Sequence, residues 1–78
     1  MTDSVILTFH GHLPAGSFSE FARHRAARLS LDLNLIVQTD SLSRMQVSGP
    51  EALLDAFELA LSLGPRDCLV RDVARGNA

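Results

Sequence analysis

Apolar and polar residues alternate along four short segments of the chain, and apolar residues recur at helical spacing between them. In residues 5–10 and 31–38 every second side chain is apolar, which predicts strands with one covered face. The alternation is weaker in residues 43–47, and residues 68–73, reading Cys-Leu-Val-Arg-Asp-Val, are interpreted as a fourth strand. The pattern therefore predicts four strands.

Two helices are predicted between these strands. Ser17 and Glu20 have the spacing of a capping box, and the apolar residues after them predict a helix over about residues 18–29. Residues 48–51, reading Ser-Gly-Pro-Glu, predict a second capping box, and Gly64-Pro65 ends the second helix. The order βαββαβ is typical of a ferredoxin-like α+β sandwich, an antiparallel four-stranded sheet with both helices on one face. We expect its core to comprise Val5, Leu7, Phe9, Phe18, Phe21, Leu29, Leu33, Leu35, Val47, Leu54, Phe57 and Leu61.

Composition narrows the class of protein. The 78 residues, 46% of them hydrophobic, suffice for one domain, with a core over about residues 4–73 and a frayed tail at 74–78. With only Cys68 and three histidines, the sequence predicts no disulfide, no metal and no cofactor, and the unstapled core suggests the cytoplasm. A net charge of −2 argues against non-specific nucleic-acid binding, and no apolar segment approaches the ~20 residues that span a membrane.

The segment after the first strand points to a family. Residues 11–19 read GHLPAGSFS and are followed by an amphipathic helix. This segment resembles the signature GxVQGVxFR of the acylphosphatases. Thr39-Asp40, Gly49-Pro50-Glu51 and Gly64-Pro65 extend the resemblance over about residues 5–73.

The resemblance implies a metal-independent hydrolase of carboxyl–phosphate anhydrides, in which loop amides and an arginine hold phosphate and an asparagine positions water. Here Ser19 stands at the arginine position and, counted from the loop, Val37 stands at the asparagine position. Neither side chain can do the expected chemistry, and Pro14 removes one amide from the loop. The resemblance thus predicts an inactive domain whose residual anion-binding loop comprises Ala15, Gly16, Ser17, Phe18 and Ser19.

Three residues are weak candidates to replace the lost groups: His12, Arg23 and Gln38. Counting back from the hairpin instead of forward from the loop places Gln38 at the asparagine position. That count requires one inserted residue, and a slip of the whole strand would turn its leucines out of the core. Only a bulge would confine the shift to the end of the strand.

Several functions remain open. We favour a small binding module for an anion or phosphorylated ligand, while the alternatives are an active acylphosphatase using unconventional residues and a regulatory ligand-binding βαββαβ domain. An RNA-recognition module is disfavoured because the sheet lacks the aromatic platform that stacks bases. Acylphosphatases usually add a last strand beside strand 2, and this chain has no aromatic residue after Phe57. We therefore expect strand 2 to be an edge, open to self-association or to a partner strand.

Overall fold

The computed structural model describes residues 3–77, and they form a βαββαβ fold. The elements are β1 (Asp3–His12), α1 (Ala15–Arg28), β2 (Asp32–Gln38), β3 (Leu42–Gly49), α2 (Glu51–Leu63) and β4 (Leu69–Asn77). The strands form one antiparallel sheet in the order β2-β3-β1-β4. The predicted fold class is confirmed, and β2 lies at an edge of the sheet as expected.

The core lies between the helices and one face of the sheet. Phe9 of β1 meets Phe18 of α1 edge to face, with ring centroids 5.4 Å apart, and both side chains are fully buried. Eight of the twelve expected core residues are buried, whereas Phe21, Leu29, Leu33 and Leu35 pack only partly against the core. Leu13, which the sequence places in a loop, is fully buried.

Both predicted capping boxes are wrong. Each helix begins directly after a proline, Pro14 or Pro50, and neither proline makes a side-chain cap hydrogen bond. Proline suits the position just before a helix because its ring fixes φ and because it has no N–H to leave unpaired. Ser17 consequently lies within the first turn of α1, and Ser48 lies in β3, where its Oγ is 3.0 Å from Ser4 Oγ.

The expected frayed tail is also wrong over residues 74–77. These residues continue β4, and Asn77 pairs with Val5 of β1. Backbone pairing needs no apolar side chains, and Arg75 adds a hydrogen bond from Nη1 to Asp55 Oδ1 at 2.6 Å. Residue 78 lies outside the described residues. Neither helix within residues 3–77 combines the length and apolar character needed to cross a membrane.

Candidate functional site

The connection between β1 and α1 is much shorter than the predicted loop. Only Leu13 and Pro14 lie outside both elements. Gly11 has φ +154°, and a Cβ atom there would overlap the backbone oxygen of Leu69, so glycine is needed where β4 approaches. The Leu13 N–H donates to the Asp40 carbonyl oxygen at 2.7 Å. Buried Leu13 and this bond fix the connection against the β2–β3 hairpin.

Asp40 in that hairpin supplies a carboxylate to the start of α1. Its Oδ1 accepts a hydrogen bond from the Ala15 N–H at 3.3 Å. The first amides of a helix have no intrahelical partner and attract anions. Thr39 shapes the turn, because its Oγ1 accepts from the N–H groups of Ser41 and Leu42. An internal anion therefore occupies the first amide of the predicted anion-binding segment.

A second carboxylate lies beside the same turn. Ser17 Oγ donates to Asp67 Oδ2 at 2.6 Å, and this bond is the main reason why the pKa of Asp67 is lowered. The charge of His12 lowers it further by a smaller amount. Burial and the nearby Asp67 raise the pKa of the Cys68 thiol, which disfavours a reactive thiolate. The hydroxyl of Ser17 and the amide of Ala15 thus both bond to carboxylates of the protein itself.

Ser19, at the expected arginine position, turns back onto its own helix. Its Oγ donates to the carbonyl oxygen of Ala15 at 2.7 Å and lies 3.3 Å from that of Gly16. Phe18 points into the core, whereas Gly16 is exposed. The five predicted residues therefore form the first turn of α1, but the side chains of Ser17, Phe18 and Ser19 are already engaged within the protein.

A bulge in β2 decides where Val37 and Gln38 lie. The pairing with β3 shifts between Leu35 and Val37, so that Ile36 is an extra residue. Val37 then lies opposite exposed Arg44, and Gln38 lies opposite fully buried Ser43. The expected uninterrupted alternation through Val37 is therefore wrong, since opposed residues of an antiparallel pair share a face.

The Gln38 amide satisfies that buried hydroxyl. Gln38 Oε1 accepts from Ser43 Oγ at 2.7 Å, and Gln38 Nε2 donates to the Thr39 carbonyl oxygen at 2.8 Å. Among the described residues, no buried side-chain nitrogen or oxygen lacks a hydrogen-bond partner. Gln38 therefore has both ends of its amide engaged within the hairpin.

A shallow cavity of about 380 Å³ lies at this end of the molecule. It is lined by Gly11, His12, Asp40, Ser41 and Arg71. His12 was among the residues predicted from the sequence, whereas Arg71 was not, because the register of β4 against the bulge at His10 and Gly11 cannot be read from the sequence. Within residues 3–77 no group of three or more His, Cys, Asp or Glu side chains has an arrangement that could hold a metal ion.

Arg23, the third weak candidate, lies elsewhere. It lines a groove between α1 and β2 together with Leu33 and Leu35. It is not among the residues that line the cavity at His12. The structure therefore brings together His12, Arg71 and Asp40, with Arg23 on a different surface.

Comparison with known proteins gives matches among solved structures. No family model and no curated protein sequence matches the chain. An acylphosphatase from Coxiella burnetii superposes with a TM-score of 0.88 at 18% identity, over 99% of this chain and 81% of that one. An acylphosphatase from Bacillus subtilis gives 0.87 at 20% identity, over 100% and 86% of the two chains. The fold is that of the acylphosphatases.

The same fold occurs within a larger protein. Full-length HypF, in a phosphate- and nucleotide-bound form, matches with a TM-score of 0.86 at 15% identity. The match covers all of this chain and 10% of the HypF chain. The acylphosphatase-like fold is thus found both in small acylphosphatases and as a minor part of a long chain.

The bulge at Ile36 adds one residue near the end of β2 and leaves Leu33 and Leu35 packed against the core. It also turns Gln38, rather than Val37, toward the face that the helices cover. No comparable adjustment changes Ser19, which has no charge to offer an anion.

Proposed function

We propose that this protein is a non-catalytic domain with the acylphosphatase-like fold that works as a small interaction module. The observation that carries the proposal is that the first amide of α1 is already bonded to a carboxylate of the protein itself. The Asp40 carboxylate accepts from the Ala15 N–H, and the Ser19 hydroxyl donates to the Ala15 carbonyl oxygen. A bound phosphate would have to displace Asp40 and would gain no arginine at position 19.

Charge supports the same conclusion. Asp40 and Asp67 both lie beside the turn where phosphate would bind. Two like charges about 4 Å apart repel by ~1 kcal/mol in water and by ~4 kcal/mol at a typical protein surface. Loss of one preorganised donor to a developing charge costs about 10²–10³ in rate. Repulsion and the missing arginine together would leave little catalysis.

A second candidate function is hydrolysis of an acyl phosphate by different residues. The observation in its favour is the cavity that joins His12 and Arg71, because an imidazole and a guanidinium could hold and protonate a phosphoryl group. Gln38 could orient water if it released Ser43 and Thr39. Asp40 lines the same cavity and opposes this use.

Turnover of acetyl phosphate distinguishes the two functions. We expect the natural chain to hydrolyse it no faster than the His12→Ala and Arg71→Ala variants. Arg66→Ala is the matched control, because Arg66 is exposed and does not line the cavity. Hydrolysis that falls tenfold or more in either cavity variant, but not in Arg66→Ala, would contradict the non-catalytic proposal.

The proposed module would work through its surface rather than through a deep pocket. Its partners would be a strand or a second copy at β2 and, more weakly, a small anion, with no role for nucleic acid or membrane. The single thiol of Cys68 agrees with a reducing compartment such as the cytoplasm. Sedimentation of the pure protein would show whether a second copy is the partner.

A further inference from the structure

Of the two edge strands of the sheet, β2 carries fewer charged side chains than β4. In residues 3–77, β2 pairs only with β3 and β4 pairs only with β1. β4 carries Arg71, Asp72 and Arg75, whereas the charged residue of β2 is Asp32. Charged side chains are a common protection against pairing at an edge. β2 is therefore the more permissive edge for an added strand.

A groove runs along this edge on the side that the helices cover. It has a volume of about 430 Å³, and its apolar lining includes Ala26 and Ala27 of α1 and Leu33 and Leu35 of β2. Alternate side chains of a strand added to β2 would point toward this face. Alanines leave room for them beside the helix, so backbone pairing and side-chain burial would occur together.

Arg23 gives the groove a chemical preference. It is exposed, lines the groove, and has no carboxylate within salt-bridge distance among the described residues. A carboxylate arriving on the same face would pair with it. We propose that β2 binds an extended segment of another protein, with apolar residues at alternate positions and an acidic residue where the segment passes Arg23. The inference rests on the proposed role as an interaction module and names the partner's chemistry.

A second copy of the chain fits this chemistry less well. Symmetric pairing of two β2 strands would place α1 beside its copy, so that two Arg23 side chains approach each other. The β2 strand offers only Asp32, which lies opposite Ser48 on the uncovered face and cannot reach the groove. The β2 strand of a second copy therefore supplies no carboxylate to Arg23.

The test uses synthetic peptides of about seven residues, the length of an ordinary strand. The first peptide has valine, glutamate and valine on one face and threonine between them. Matched peptides carry glutamine or lysine in place of glutamate. A further peptide carries N-methyl groups on amides of both of its edges, so that neither edge can form a full set of backbone hydrogen bonds. Binding to the intact protein is followed through amide shifts and amide exchange.

We expect saturable shifts in β2 and slower exchange of alternate β2 amides with the glutamate peptide, and neither effect with the N-methylated peptide. Arg23→Ala should weaken the glutamate peptide by about fivefold, as expected for an exposed ion pair. Arg28→Ala is the control, because Arg28 is on the same helix but does not line the groove. Arg23→Glu should make the lysine peptide the tighter ligand.

Three results would overturn the inference. The first is that no peptide causes a saturable shift of the β2 amide signals. The second is that the glutamate, glutamine and lysine peptides bind with equal affinity. The third is that sedimentation shows a dimer, which the Leu33→Lys substitution dissociates. The last result would identify a second copy as the occupant. A negative result in the peptide experiment would not contradict the proposed non-catalytic function, because acetyl phosphate turnover tests that function separately.

Discussion

The start of α1 and the outer edge of β2 both have backbone groups that secondary structure leaves unpaired, and they differ in how those groups are satisfied. At α1, the Ala15 amide bonds to Asp40, and the Ser17 hydroxyl bonds to Asp67. At β2, half of the backbone groups point away from β3, and Arg23 beside them has no acidic partner among residues 3–77. One amide and one hydroxyl at the start of α1 are thus already bonded within the protein, whereas the outer edge of β2 has no strand paired to it within residues 3–77. The proposed module would therefore bind its partner through the β2 edge.

The largest expected difference between the two regions is in packing. Phe18, beneath the start of α1, is fully buried, whereas Leu33 at the β2 groove is partly exposed. Phe18→Ala should lower the free energy of unfolding by about 3–5 kcal/mol, and Leu33→Ala by less than about 2 kcal/mol, because a cavity forms only where the site is closed. Urea denaturation measures both. Equal losses would show that the edge is packed as tightly as the start of α1.

Removal of the Gln38 amide should have the next largest effect. Gln38→Ala leaves the buried Ser43 hydroxyl without its acceptor, which should cost about 1–3 kcal/mol of unfolding free energy. Adding Ser43→Ala should restore part of this loss. Gln46→Ala, on the uncovered face of β3, is the matched control and should cost less. Additive losses in the double variant would mean that Gln38 does not serve Ser43, and would reopen a role in the cavity.

Asp40 should contribute less, through one exposed bond. Asp40→Ala removes the carboxylate from the Ala15 amide and should cost about 0.3–1 kcal/mol, the usual range for a charge at a helix start. Asp40→Asn keeps a hydrogen-bond acceptor without the charge, so its stability should lie between those of the natural chain and Asp40→Ala. Thermal unfolding at low ionic strength resolves this order. Unchanged or increased stability in Asp40→Ala would show that the carboxylate does not cap α1.

The smallest expected effect is on the titration of Asp67. Ser17→Ala removes the bond that mainly lowers the pKa of Asp67, so that pKa should rise toward its ordinary value. A carboxyl group with a lowered folded-state pKa stabilises the fold above its unfolded pKa, and this contribution is lost as pH falls through the folded pKa. The variant should therefore lose less stability on acidification. Carbon-detected NMR titration would contradict this if the pKa of Asp67 stayed unchanged.

The fold could be predicted because hydrophobic periodicity determines which faces are covered. The structure confirms the first strand, which the alternation of Val5, Leu7 and Phe9 predicts. It also confirms the end of the second helix at Gly64, which has φ +67°. The helix starts were misplaced because each helix begins directly after a proline, Pro14 or Pro50, that makes no side-chain cap hydrogen bond. The last residues of β4 were missed because their pairing depends on the backbone and on Arg75 rather than on apolar side chains.

The candidate site was less predictable, since its contacts join residues distant in sequence. Asp40 and Ala15 are 25 positions apart, and Ser17 and Asp67 are 50 apart. The bulge at Ile36 has no sequence signal of its own, because Ile36 fits the β-branched character of the strand. Residue 19 could be read as a serine, where the resemblance expects an arginine, from the sequence alone. The hydrogen bond from its hydroxyl to the Ala15 carbonyl oxygen became apparent only in the structure.

Titration of the natural chain with inorganic phosphate measures whether the start of α1 binds an anion. The amide signals of Ala15, Gly16 and Ser17 report on any anion that binds at the start of α1, and a Kd of about 1 mM would correspond to ~4 kcal/mol of binding energy. Because Asp40 already occupies the first amide, we predict no saturable shift of these three signals at phosphate concentrations well above that value. Saturable shifts confined to these residues would contradict the account.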